Sequence, residues 1–292
     1  MKTIAYSLLL AASLAACNRV EKAVEPPKSA VAAPPTSPMP AAAPQPPTAA
    51  RINETELMRA IFGDAYKPAD KKATATLVIE GSEMLHAMTP VASTQLADGR
   101  VVLIVNGAPA ADDGSEIASH VSSGILNVYL LRREGDGWKV LQRHENLAEL
   151  GSEGFIGSVK WVTLGPGKPG FIVSNGGVWQ GYSISHAAIF ELGSEVRGLG
   201  SFKEASSNEG GCGPTSGQCW DVAGEIRFAP EPQQSGYNDI IVSFTDKRFT
   251  VTEDKNADFV IHPGTTTKTS ARYHFDGKAY VLASGANPVP DI

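Results

Sequence analysis

Three short apolar runs recur along this chain at nearly constant spacing, and they limit the folds open to it more than any other feature. Val101-Val102-Leu103-Ile104-Val105-Asn106 aligns with Phe171-Ile172-Val173-Ser174-Asn175 and with Asp239-Ile240-Ile241-Val242-Ser243. Val105 and Val173 are 68 residues apart, and Val173 and Val242 are 69 apart. Each run follows an earlier strand-like segment across a turn: residues 91–96, 159–164 and 222–229. Each is followed by a longer loop and a third segment, at 126–131, 187–192 and 271–275, which leads through a turn to a fourth, at 138–141, 196–202 and 278–282. Runs of this length, apolar or alternating and rich in Val, Ile and Phe, read as strands. Gly paired with Asp or Asn separates them: Asp98-Gly99, Asn106-Gly107, Asp136-Gly137, Asn175-Gly176 and Asp276-Gly277. These residues tolerate the positive φ that tight hairpin turns require.

The order strand, strand, long loop, strand, strand thus occurs three times. A four-stranded antiparallel unit repeated in sequence buries its faces only against its neighbours, which is the principle of a propeller-like array. The expected fold is therefore all-β, a propeller-like array of antiparallel four-stranded units. Any β-rich chain also offers apolar runs that align, so a non-repetitive β domain is the other reading. One short helix precedes the strands. Asn53 followed three residues later by Glu56 is a capping signal, and Leu57, Met58, Ala60, Ile61 and Phe62 supply an apolar stripe that Gly63 ends.

Upstream the composition changes twice. From Glu25 to Ala50, nine of twenty-six residues are proline and most of the rest are alanine or small polar residues. Such a segment cannot build a core. It reads as a semi-rigid spacer reaching at most about 80 Å at 3.1 Å per residue, or as a linker of no selected length. Before it, Met1-Lys2 opens an apolar run that is too short to span a bilayer and ends at Leu14-Ala15-Ala16-Cys17. That is the form of a secretory signal peptide. Three segments follow: 1–16 as signal peptide, 17–50 as processed N-terminus and linker, and 51–292 as the β-rich globular domain.

The Leu-Ala-Ala-Cys stretch resembles the lipobox of bacterial lipoproteins. The resemblance implies that Cys17 becomes the first residue, carrying diacylglycerol and an N-linked fatty acyl group such as palmitate. An ordinary cleaved signal with a chance cysteine is the plain alternative. Three acyl chains exceed the two signals that stable anchoring needs. Similar lipoproteins are sorted by the next residue, here Asn18 rather than the Asp of inner-membrane retention, which implies the outer membrane, facing the periplasm. Removing residues 1–16 leaves 24 basic and 31 acidic residues, a formal charge of −7. A chain of that sign has no electrostatic reason to hold nucleic acid, so the expected membrane contact is through lipid alone.

Cys212 and Cys219, in Cys212-Gly-Pro-Thr-Ser-Gly-Gln-Cys219, are expected to form a disulfide. Two thiolates without a nearby histidine make only half a zinc site. The remaining catalytic and metal motifs fail residue by residue. Asp254, Asn256 and Asp258 begin like a calcium loop, but Phe259 and Thr265 stand where the turn glycine and the bidentate glutamate belong. His144-Glu145 lacks a second histidine at 148, and Gly181-Tyr182-Ser183-Ile184-Ser185 lacks the last glycine of a nucleophile elbow. Of the six histidines, His186 and His274 fall in strands and read as half-buried filler. No catalytic residue, metal site or cofactor is expected. Glu204, Glu209, Asp221 and Glu225 flank the cysteine loop and are the one local acidic cluster, either solvated surface or the dispersed carboxylates of a wall-glycan hydrolase.

Two stretches carry a further resemblance. Gly236-Tyr237-Asn238-Asp239-Ile240-Ile241-Val242 is similar to the loop and strand of integrin-type FG-GAP propeller repeats. Residues 273–282, Tyr-His-Phe-Asp-Gly-Lys-Ala-Tyr-Val-Leu, resemble the closing hairpin of periplasmic lipoproteins with propeller-like domains. Some of those inhibit lysozyme-like peptidoglycan hydrolases, as immunity proteins against secreted effectors. The resemblance implies a binding module whose partner is such a hydrolase; an envelope assembly protein is a further alternative. The candidate contact residues are Trp179, Gln180 and Tyr182, in a glycine-flanked loop from Gly176 to Ser185 expected to lie outside the strands. Aromatic side chains bury large area with few rotors and commonly anchor interfaces. Trp179 covering the end of the core is the structural alternative.

Overall fold

Asn53 begins the ordered part as the sequence suggests. Its side chain accepts from the Thr55 N–H at 3.1 Å and donates to Glu56, starting helix α1 (Glu54–Phe62). The structure is a computed structural model and describes residues 52–230 and 236–292. The expected signal peptide, Cys17 and the Pro/Ala-rich segment lie outside the described residues.

Among the described residues fourteen strands follow the helix in two sheets, and within each sheet every strand pairs antiparallel with its neighbour in sequence. The first sheet contains β1 (Tyr66–Lys67), β2 (Lys72–Ile79), β3 (Ser82–Gln95), β4 (Val101–Pro109), β5 (Gly124–Glu134) and β6 (Gly137–Leu150). The second contains β7 (Ser158–Gly165), β8 (Lys168–Trp179), β9 (Tyr182–Leu192), β10 (Val196–Ser207), β11 (Cys219–Ala229), β12 (Asp239–Glu253), β13 (Phe259–Phe275) and β14 (Tyr280–Gly285). The three expected units coincide with β3–β6, β7–β10 and β11–β14. They do not stand as separate four-stranded sheets. The first is widened by β1 and β2, whose Tyr66, Ala73 and Leu77 join the core under α1. The second and third are joined by a seam of only three residue pairs, Ala205–Ser207 with Asp221–Ala223. Both sheets are open, so closure into a propeller is not what holds this fold.

Face-to-face burial holds it instead. Val101, Leu103 and Val105 of β4 pack with Ile125, Tyr129 and Leu131 of β5 against Leu57, Met58 and Ile61 of the helix. The alternate residues Val102, Ile104, Leu126, Val128 and Leu130 point the other way, onto Phe171, Val173, Ala188 and Phe190 of the second unit. That unit is covered on both faces as well, because Ile172, Ala187, Ile189 and Phe202 meet Val222, Val242, Phe244, Ala271 and Tyr273 of the third. This explains why β4 and the middles of β8 and β9 read as continuous apolar runs: side chains alternate between two buried faces. The order is helix, first unit, second unit, third unit. On β11 the outward positions Ala223, Glu225 and Arg227 are exposed, so the stack ends in a solvated face.

Two of the five expected turns are not turns. Asp98-Gly99 and Asp276-Gly277 do lie between strands, with Gly99 at φ 83 and Gly277 at φ 100, and Asp136 lies in the β5–β6 turn. Asn106-Gly107 and Asn175-Gly176 instead lie inside β4 and β8. The amide of the first links two units, and that of the second stays within one sheet ladder. Asn106 donates to the Gly154 carbonyl at 2.8 Å and accepts from the Ile156 N–H at 3.0 Å, tying the first unit to the segment that leads into the second. Asn175 donates to the carbonyls of Val173 and His186.

Candidate functional site

The stretch from Gly176 to Ser185, expected as a loop, is a tight hairpin. β8 runs on to Trp179 and β9 starts at Tyr182, so only Gln180 and Gly181 turn, at φ 49 and 83. Two consecutive positive φ values are the mark of a type I′ turn, which matches the natural twist of a hairpin. The glycines serve close approach rather than flexibility. A Cβ on Gly176 would overlap the Ile184 carbonyl across the hairpin, and the Trp179 indole folds back over Gly177. Ser183, expected as a loop hydroxyl, is in β9 and donates to the Ser207 carbonyl.

The tip leaves three apolar side chains in water: Val178 is 65 % exposed, Trp179 39 % and Tyr182 36 %. It is also braced. The disulfide Cys212–Cys219 forms as expected, with Cα atoms 6.0 Å apart. The loop leading into it lies directly against the hairpin turn: Gly181 abuts Gly210 and Gly211, and Gly211 also meets the Gln180 carbonyl and the Tyr182 ring. The Tyr182 ring lies 5.9 Å from that of Trp220, whose indole N–H donates to Ser206 and whose backbone is clasped by Asn208 in both directions. Two features that are far apart in the sequence reading, the aromatic turn and the cysteine loop, are thus one surface.

Beside the turn opens a groove of about 680 Å³ lined by Trp179, Tyr182, Ile184, His186, Asp291 and Ile292. Asp291 pairs with Lys203 at 2.8 Å. The segment that carries it is pinned by the Asn287 amide, which donates to the Lys203 carbonyl and the Tyr273 hydroxyl, and by buried Val289. Burial, and secondarily the Lys203 ammonium, push the His186 imidazole below its usual value, while Asp291 pulls the other way. His186 stands half-buried in β9, as expected, and lines the groove. No local pattern points to the groove, since Lys203 and Asp291 are 88 residues apart.

A second depression of about 480 Å³ lies among Ser152, Ser174, Ser183, Ser185, Ser207 and Asp221. Most of its hydroxyls are engaged: Ser152 with the Gly176 carbonyl, Ser183 with Ser207, Ser185 with Glu204, and Ser207 with the Glu209 N–H. It offers a ligand fewer free groups than the aromatic groove does.

The acidic cluster has its own partners. Asp221 pairs with Lys247 at 2.9 Å, and Glu204 accepts from Ser185. His144 and Glu145 stand in strand β6, not on a helix, and Glu145 accepts from the buried Tyr129 hydroxyl. Asp254 caps the β12–β13 turn by accepting from the N–H groups of Asn256 and Asp258. Among the described residues no three His, Cys, Asp or Glu side chains come together as a metal-binding group. No protein family, curated protein or solved structure matches the chain.

Proposed function

We propose that this chain is a binding module of the cell envelope, tethered to the outer membrane through lipid on Cys17, which grips a periplasmic protein partner with the Trp179–Tyr182 hairpin. Its three strand units stack in the manner of propeller blades and serve as a rigid mount. The partner we favour is a peptidoglycan hydrolase, inhibited when the hairpin enters its cleft. One observation carries the reading: exposed aromatic side chains sit on a two-residue turn that is fixed from one side by the strand pairing and from the other by the disulfide loop. A tip so fixed loses little conformational freedom on docking, and exposed Trp and Tyr are the side chains that most often anchor interfaces.

The test is capture from envelope extract by the full chain in detergent, in parallel with a turnover assay on peptidoglycan. A hydrolase retained and inhibited by the wild type, and released by Trp179→Ala or Tyr182→Ala, is the expected result. A chain that leaves a panel of lysozyme-like enzymes fully active overturns it, as does intrinsic turnover of peptidoglycan that is lost in Asp221→Asn. The tether is tested separately, by incorporation of an alkyne-tagged fatty acid that Cys17→Ser abolishes.

A further inference from the structure

Antiparallel strands send successive connections to opposite ends. The connections β2–β3 (80–81), β4–β5 (110–123), β6–β7 (151–157), β8–β9 (180–181), β10–β11 (208–218) and β12–β13 (254–258) therefore share one end. They touch in series. Gly114 lies against Thr74 of β2, the Gly154 N–H donates to the Ser122 carbonyl at 2.8 Å, Ser152 donates to the Gly176 carbonyl, and Gly181 abuts Gly210. Glu209 and Ile261 line one depression of about 270 Å³, which brings in the last connection.

Two independent properties set this end apart. The six most exposed large apolar side chains among the described residues, Val78, Ile117, Val121, Val178, Phe259 and Ile261, are 57 to 78 % exposed, and all lie in these connections or within three residues of them. Apolar side chains gathered in this way on a soluble fold mark an interaction surface. The second property is charge. The same connections carry eight acidic residues and one basic residue, Lys255, whereas those at the opposite end carry five acidic and three basic among the described residues. Two of the eight have a basic partner, since Glu116 pairs with Lys72 and Glu153 lies against His120. The nearby Lys247 and Arg248 are matched by Asp221 and Asp246.

An apolar surface this acidic selects its partner by charge. A second copy of the chain would set carboxylates against carboxylates, and an anionic lipid surface is repelled for the same reason. A neutral glycan gains nothing from the charges. We propose that this end is the docking surface for a basic protein, whose apolar side chains cover Val178, Trp179 and Phe259 and whose lysines and arginines meet carboxylates around them, such as Asp112, Glu209 and Asp258. Charge attraction speeds encounter and fixes orientation, while apolar burial at the centre supplies the hold. The proposal rests on the binding-module reading and deepens it: the contact widens from one hairpin to a series of connections, and the partner's charge is specified whether or not it is a hydrolase.

The experiment is interferometry of the full chain, held in nonionic detergent, against three protein probes: egg-white lysozyme and cytochrome c, both basic, and α-lactalbumin, which has the lysozyme fold but is acidic. At least one basic probe is expected to bind, and α-lactalbumin is not. Affinity should fall at least about tenfold as NaCl rises from about 50 to about 300 mM, because screening shortens the reach of the carboxylates. Glu153→Lys with Glu209→Lys should weaken binding about tenfold or more, whereas Asp136→Lys with Glu195→Lys, an equal change of net charge at the opposite end, should weaken it less than about threefold. Val178→Ser with Phe259→Ser should weaken binding about tenfold and leave the salt dependence as it was. The proposal is overturned if neither basic probe binds, if α-lactalbumin binds as well as they do, if the two charge pairs weaken binding equally, or if the apolar pair has no effect. It is also overturned if the apolar pair instead releases the Cys17→Ser chain from phosphatidylcholine vesicles while the basic probes fail, which would make this end a lipid surface. The hydrolase reading fails separately. A basic probe held through this end while lysozyme keeps its full activity removes inhibition and leaves the docking surface standing; lysozyme inhibited with an affinity that ignores Glu153→Lys and Glu209→Lys does the reverse.

Discussion

Gly181 and Gly210 lie in contact, backbone against backbone, with Gly210 placed so that a Cβ on it would come within 3.0 Å of the Gly181 Cα. Gly181 has no alternative of its own, because it holds φ 83 and a Cβ there would overlap the peptide between Gly210 and Gly211. Gly181→Ala should therefore destabilise the protein by about 2 to 4 kcal/mol, combining the left-handed conformation with the steric overlap. Gly167→Ala, at φ 70 but in open space, carries only the first penalty and should cost about 1 kcal/mol. Urea unfolding of the pair measures the difference. Equal losses would mean that the disulfide loop yields freely and does not brace the turn.

The same contact ties the aromatic tip to the disulfide. Closing a loop between Cys212 and Cys219 should contribute about 2 to 3 kcal/mol through the entropy of the unfolded chain. Replacing both cysteines by serine should cost that much and should also raise amide exchange at Gln180–Tyr182, across the chain from the altered residues. Strands β4 and β5, buried on both faces, should lose only the protection that the global loss of stability removes, whereas the turn should lose more than its share through local opening. Unchanged exchange at the turn would show that strand pairing alone fixes it.

Much of this architecture is written in the local pattern, and the rest is not, for reasons that particular residues make plain. Strands β3 to β14 follow from alternation and from apolar runs, because those features record which faces are buried. The pair Asn-Gly does not distinguish a turn from a buried amide. At Asp276-Gly277 the side chain accepts from two turn N–H groups, whereas at Asn106-Gly107 it bridges two stacked units, and only the neighbours decide. The glycines of 176–181 read as a loop because sequence does not show what approaches them: Ile184 across the hairpin, the Trp179 indole above Gly177, and Gly210 from a loop some thirty residues away. The candidate residues Trp179, Gln180 and Tyr182 were recognisable from exposure-prone aromatics between glycines. Ile184, His186 and Asp291 were not, since a groove assembled from β9 and a distant segment leaves no periodic trace.

Asn106 provides a sharp energetic test of the stacking. Its buried side chain satisfies the Gly154 carbonyl and the Ile156 N–H at once. Asn106→Ala should cost about 2 to 4 kcal/mol, since two buried backbone groups lose their hydrogen bonds together. Asn175→Ala should cost about 1 kcal/mol, because Asn175 is only half-buried and its amide serves carbonyls within the β8–β9 ladder. Denaturant midpoints should shift in that order with unchanged slopes. A loss at Asn106 no larger than at Asn175 would remove the amide from its role as the link between units.

His186 supplies a pH dependence whose sign is fixed by its surroundings. Burial is the largest influence and favours the neutral imidazole; the Lys203 ammonium acts in the same direction, and Asp291 opposes both. The folded group therefore titrates below its ordinary value of 6.5, which the unfolded chain regains. The unfolded state binds the proton first as pH falls, so the contribution of this residue to stability is complete above pH 6.5 and is lost as pH drops through the folded value. An NMR titration of the imidazole should give a midpoint below 6.5. Lys203→Met should raise that midpoint, because it removes a neighbouring cation and leaves Asp291 without its partner. Asp291→Asn should lower it, because it removes the anion and frees the Lys203 charge. Opposite movements in the two variants are required; an unchanged midpoint in both would mean that burial alone sets the titration and that neither charge of the ion pair acts on the imidazole.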